Sequence, residues 1–162
     1  MPTFRILLTA TLATAPLLGH AQLLQERNIP LALAQQIAQG AVAACAQKGF
    51  NVAATVVDRA GVVRAVLRAD NAGPHTLDGS RAKAYTSASM RNTTAAIGEN
   101  VQKNPAAQFL PSIPGVLVVG GGVPIRAGNE VIGGVGVAGA PAGPVDGECA
   151  VAALDAIKDQ LN

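Results

Sequence analysis

AATVVDRAGVVRAVLRA, residues 53–69, is the stretch from which the fold follows. Two β-rich runs, Ala53 to Val57 and Val62 to Ala69, flank Asp58-Arg59-Ala60-Gly61, a short polar turn ending in glycine. So short a link joins antiparallel neighbours, because parallel strands need a crossover of about a dozen residues or more. The pattern recurs downstream. Val123 to Arg126 and Val131 to Val137 flank Ala127-Gly128-Asn129, and Val116 to Val119 reads as a further strand ahead of them. Helical signals fill the rest. Asn28 and Pro30 open a helix carrying Leu33, Ile37, Ala41 and Cys45 at helical spacing, and Gly49 closes it. A second helix is expected from about Asp78 to Met90, and a third from the cap Asn92 to Asn104-Pro105. Asp146 caps the last, whose apolar face is Val151, Leu154, Ile157 and Leu161. The predicted order is α-β-β-α-α-β-β-β-α. This is an α+β fold, an antiparallel sheet of about five strands flanked by helices.

The N-terminus has the pattern of a secretory signal peptide. Arg5 precedes the apolar run Ile6 to Leu18, and Gly19-His20-Ala21 places small residues at the cleavage positions. That run is shorter than the roughly 20 apolar residues of a membrane span, and no lipid-accepting cysteine follows Ala21. The expectation is removal of residues 1–21 and a single domain over 22–162, periplasmic or secreted, with no stable membrane anchor. Loss of Arg5 takes the formal charge from +2 to +1, too little to steer the domain to nucleic acid. Only Phe50, Tyr85 and Phe109 remain as stacking surfaces, which argues against a single-strand platform. The abundance of small residues permits close packing of elements and of subunits, and the low charge suits a surface partly covered in a homo-oligomer. Cys45 and Cys149 fall on two predicted helices. Export permits a disulfide between them, but the sequence does not give the Cα separation that a bridge requires, and two buried cysteines that never meet are equally compatible.

Several motifs lose their force once placed on this layout. Gly134 to Gly139 spells GxGxxG but lies within and just after a strand instead of opening a helix, so it is no dinucleotide fingerprint. Gly120-Gly121-Gly122 lacks the Lys-Ser/Thr of a phosphate loop and reads as a turn. Ser80-Arg81-Ala82-Lys83 matches Ser-x-x-Lys without the companion motifs of that acylase chemistry. Asn92-Thr93-Thr94 reads as helix capping before it reads as a glycosylation acceptor.

The segment RADNAGPHTLDGSRAKAYTS, residues 68–87, survives this filter. With His20 in the leader, His75 is the one imidazole of the mature chain. It sits at a helix start, whose free N–H groups and positive dipole end suit a carboxylate or propionate. Imidazole beside such a site suits ligation of heme iron, though a surface histidine making ordinary hydrogen bonds fits the same residues. Arg68 and Lys83 are the candidate propionate partners, and Asp70 orients Arg68 or caps the loop. Ser80 and Tyr85 are weaker candidates for pocket hydrogen bonds.

The same segment resembles the signature of the GlcG/HbpS-type heme-binding family, related to the C-terminal domain of PduO-type corrinoid adenosyltransferases. Gly121-Gly122-Val123-Pro124-Ile125, then Val131 to Gly139, then Asp146-Gly147-Glu148-Cys149-Ala150 follow in the family's order, so the resemblance spans roughly Leu31 to Leu161. It implies an antiparallel sheet between helices, assembly into oligomers, and binding of heme or another tetrapyrrole. Some members use a histidine near the first helix; none lies between Gln22 and Pro74 here, so that mode is closed. The expectation is an exported protein that sequesters, stores or senses heme, with His75 as axial ligand. A rival from another class is an enzyme on a small organic acid, with Lys83 or His75 as acid/base and Arg68 gripping the carboxylate. A corrinoid-binding module is the third reading.

Overall fold

The computed structural model describes residues 22–161; His20 and the leader expected over residues 1–21 lie outside them. β1 (Ala53–Asp58) and β2 (Val63–Arg68) form the expected hairpin. Its turn is held by the Asp58 carboxylate, which accepts from the amides of Ala60 and Val62 at 3.0 and 2.9 Å, and Gly61 supplies the left-handed backbone at φ 81°. β3 (Gly122–Ala127) and β4 (Glu130–Ala138) form the second hairpin. Among the described residues the sheet has four strands in the order β2-β1-β4-β3, every pair antiparallel.

α1 (Leu31–Gln47) and α4 (Gly143–Asp155) cover one face of this sheet, and α2 (His75–Met90) covers the other, followed by α3 (Thr94–Lys103). Strand alternation decides which residues meet which helix. Ala54 and Val56 of β1 and Val135 and Val137 of β4 join Ile37, Ala41 and Ala150 in the main core. The intervening positions of β4 are Gly134, Gly136 and Ala138, and they lie under α2. A Cβ on Gly134 would come within 2.8 Å of Ser87 Oγ and 3.0 Å of Ala88 Cβ. α2 therefore rests on strand backbone.

Such close seating suits a helix with a small polar underside. Thr76, Ser80, Thr86 and Ser87 are buried, and their hydroxyls donate to the carbonyls of Gly73, Leu77, Ala82 and Ala84. Ser80 Oγ also lies 2.8 Å from Thr55 Oγ1 on β1. Among the described residues no buried side-chain polar atom lacks a partner, as burial without compensation would be costly.

The structure corrects the sequence reading at several points. Val116 to Val119 is not a fifth strand: Leu117 N donates to Thr86 Oγ1 at 2.9 Å, and Gly122 N to Thr94 Oγ1 at 2.8 Å. A hydroxyl on α2 thus ties down this segment, and one on α3 holds the start of β3 beyond it. α2 begins at His75, three residues ahead of Asp78, which falls in the favourable acidic first turn. α1 begins after Pro30; Asn28 does not cap it but accepts from the amides of Ile29 and Arg59. Thr93, one residue past Asn92, caps α3 by accepting from Ala96 N. Asp146 lies inside the first turn of α4, and Val151 is 45 % exposed, so the buried side of α4 runs through Cys149, Ala150 and Ala153. Cys45 and Cys149 are bridged, with Cα atoms 5.5 Å apart, because α1 and α4 lie side by side. Among the described residues no helix is long and apolar enough to cross a membrane.

Candidate functional site

His75, Gly79 and Lys83 recur at i, i+4 and i+8, a spacing that lines them along one side of α2 in steps of about 6 Å. They form one wall of a cleft of about 300 Å³. Ala138 to Gly143, the run AGAPAG that links β4 to α4, forms a second wall, and Leu117 and Val119 close a third side. Small side chains along that run let the backbone approach the helix closely.

His75 is exposed at the mouth of the cleft. Its ring folds over Gly73: a Cβ there would fall 2.6 Å from Cε1 and 2.8 Å from Nδ1, but 3.8 Å from Nε2. Nε2 is thus the ring nitrogen farther from Gly73. Val119, 50 % exposed, and half-buried Leu117 leave apolar surface at the site.

Lys83 lies at the base of the cleft and is 4 % exposed. Its ammonium donates to the Val137 carbonyl at 2.9 Å and to Asp146 Oδ2 at 2.8 Å. Asp146 is 2 % exposed, and its other oxygen accepts from Ala140 N at 3.0 Å. Lys83 Nζ retains one N–H beyond these two bonds. The glycine turn seals the pair. A Cβ on Gly121, which adopts φ 120°, would fall 2.9 Å from Lys83 Nζ and 2.8 Å from Asp146 Cβ. Two opposite charges inside a protein need this degree of mutual and backbone satisfaction.

The other candidates are dispersed. Arg68, exposed at the end of β2, donates to the Ala72 carbonyl at 2.5 Å and forms no ion pair with Asp70, which is exposed in the adjoining turn. Ser80 is engaged in the core with Leu77 and Thr55. Tyr85, ten residues beyond His75, packs on Gly61 and Gly115 at the far end of the helix. The cleft therefore unites His75 and Lys83, places Arg68 and Asp70 on a neighbouring turn, and leaves Ser80 and Tyr85 outside. Sequence reasoning missed Asp146 as Lys83's partner. The signal was an acid and a lysine, each in a helix rich in small residues, at positions that are buried.

The chain is similar to known proteins over most of its length. Residues 29–155 match the family model described as "Haem degrading protein HbpS-like". A double mutant of HbpS from Streptomyces reticuli superposes with a TM-score of 0.80 at 35% identity, covering 90% of this chain and 98% of that one. The PduOC:heme complex superposes with a TM-score of 0.74 at 26% identity, covering 80% of this chain and 95% of that one. An uncharacterized 15.0 kDa protein of Citrobacter freundii, from the dhaT-dhaS intergenic region, is 34% identical over 119 residues, 71% of this chain and 82% of the relative.

Proposed function

We propose, from the premise that the chain belongs to the HbpS-like family, that it is an exported heme-binding protein that sequesters, stores or senses heme. The observation that carries this reading is His75, an exposed imidazole held at a cleft mouth beside apolar surface. The donor set fits the group: an exposed imidazole at the cleft mouth, apolar Leu117 and Val119 for the macrocycle, and cationic Arg68 for a propionate, while Lys83 is committed to Asp146 and the Val137 carbonyl. Bound heme would supply an iron centre with redox and Lewis-acid chemistry. His75 would ligate, Leu117 and Val119 would exclude water from one edge, and Arg68 would hold an acid group at the rim.

A porphyrin is larger than this cleft, so one copy of the chain covers only part of it. In the homo-oligomer reading a second copy would cover the remainder, and a surface outside the cleft points to such a copy. The edge strand β2 leaves Val63, Val66 and Leu67 more than 40 % exposed, surface that a second copy would cover. The Cys45–Cys149 bridge supports export to an oxidising compartment. If the leader is removed after Ala21, intact-mass measurement of the protein recovered from its native compartment will give a chain starting at Gln22. A chain retaining Met1 sinks the export reading.

Hemin titration followed by absorbance tests the binding itself. The wild type should give a saturable Soret shift, and His75→Ala should weaken binding at least about tenfold, about 1.4 kcal/mol, with a moved band. Gly73→Ala should do part of the same while leaving Tm near wild type, because it displaces only a side chain that can rotate. A shift identical in His75→Ala moves the ligand elsewhere. A Soret band that forms and then decays indicates turnover instead of storage. Light-scattering mass of the same samples reads the assembly.

The cleft's modest volume favours one other reading, an enzyme acting on a small organic acid. It becomes the reading to pursue if hemin gives no saturable shift while small carboxylic acids raise Tm.

A further inference from the structure

We infer that Lys83 and Asp146 are a positioning pair that clamps the Ala138–Gly143 segment and so sets the cleft wall facing His75. This rests on the reading of the cleft as the binding site. The two side chains come from different helices on opposite faces of the sheet, Lys83 from α2 and Asp146 from α4. They meet where β4 ends. Lys83 holds the last part of that strand through the Val137 carbonyl, and Asp146 holds the segment three residues on through Ala140 N. The ion pair at 2.8 Å joins the two anchors.

Ala138 pairs with Ala53 in the sheet and the Ala142 carbonyl accepts from Val145 N and Asp146 N, so the stretch between them depends on the Asp146 carboxylate. Pro141 and Pro144 carry no N–H, and Ala142 precedes the helix without a side-chain cap. Gly143 lies against the Gly120 backbone, so the segment is wedged between the glycine turn and the pair. The turn contributes Gly121 N and Gly120 N near this point, but a Cβ at Gly121 would displace Lys83 Nζ. Between its backbone-held ends, the wall that faces His75 is held by one carboxylate with both oxygens engaged. Its position decides how wide the cleft opens in front of Nε2.

The test uses the mature protein with its disulfide intact, and two readouts. Amide hydrogen exchange at Ala140 should be slow in the wild type and accelerate at least about tenfold in Asp146→Ala, well below its unfolding temperature. The double variant Lys83→Met/Asp146→Asn removes both buried charges but keeps an oxygen that accepts from Ala140 N, so exchange there should stay within about threefold of wild type. Hemin affinity should follow the same order, weakened about tenfold in Asp146→Ala and largely retained in the double variant, while global near-UV circular dichroism is unchanged. Should Asp146→Ala be too unstable to study, the double variant beside Lys83→Met/Asp146→Ala makes the same comparison without any buried charge.

Unchanged Ala140 exchange on loss of the Asp146 carboxylate overturns the clamp. So does faster exchange with unaltered hemin affinity in a wild type that binds hemin, since the wall would then not govern the cleft. If the wild type binds no hemin, the functional reading fails by itself, and the exchange comparison alone decides the clamp.

Discussion

Replacing Cys45 and Cys149 together by alanine is expected to lower the domain's stability by about 3–5 kcal/mol and its Tm by about 10–15 °C. The bridge spans a sequence separation of 104, so its removal frees most of the chain in the unfolded state. Chain-entropy arguments assign a loop of about 100 residues close to 4.7 kcal/mol, an upper value because unfolded chains are already partly compact. Both cysteines are fully buried between α1 and α4, so the alanine pair also forfeits sulfur contacts there. Urea unfolding of the oxidised wild type, the reduced wild type and the double variant separates these effects. The reduced protein and the variant should share a midpoint well below the oxidised form, with a steeper slope as their unfolded states expand. Coincident midpoints for all three would mean that the packing of Ala153 against Gly40, not the crosslink, holds the two helices together.

The same bridge marks a limit of what the sequence discloses. Each cysteine could be placed on a helix from spacing alone, yet whether they meet depends on two helices more than a hundred residues apart sharing one sheet face. Elements defined by local chemistry were legible. Asp58 and Gly61 specify a tight hairpin turn, and Gly128 another, so both strand pairs and the antiparallel sheet followed. Val116 to Val119 has strand composition without strand pairing; Thr86 on α2 captures its Leu117 amide, and Thr94 on α3 holds Gly122 where β3 begins. No periodicity of the segment itself carries that information. α2 was hard to bound for the opposite reason. Its buried side is threonine, serine and alanine, so apolar spacing does not mark where it begins.

The candidate site was legible to the same degree. His75 stood out by elimination, and the i, i+4, i+8 relation to Gly79 and Lys83 is a property of the helix. What escaped was the partner across the sheet. Asp146 and Lys83 are 63 residues apart, and an acid near a helix start reads as a cap unless the fold shows it turned inward. Ser80 and Tyr85 failed to converge on the cleft because a helix disperses near neighbours around its axis. Ser80 turns to Thr55 under the helix, and Tyr85 lies at its far end.

The glycines of β4 give the second large effect. Gly136→Ala should cost about 3 kcal/mol, at the upper end for an added methyl in a packed interior. Gly136 sits in the row Thr55–Gly136–Gly122 across three strands, directly beneath α2. A Cβ there would collide with the Ser80 carbonyl and the Ala84 amide, and would lie 3.1 Å from Ala84 Cα. These are helix backbone atoms that no rotamer change can move, so α2 itself must lift. That displacement carries Lys83 away from the Val137 carbonyl and opens the cleft, so a folded Gly136→Ala protein should also bind hemin more weakly. Gly147→Ala is the matched control. Its added methyl would meet nothing nearer than Gly121 N at 3.8 Å, and in α4 it should gain up to about 1 kcal/mol of helix propensity. Denaturant midpoints that move in opposite directions for these two substitutions would support the seating of α2 on strand backbone. A wild-type midpoint for Gly136→Ala would instead mean that the helix rides higher on the sheet than its contacts with β4 require, and the wall between His75 and Lys83 would lose its rigid support.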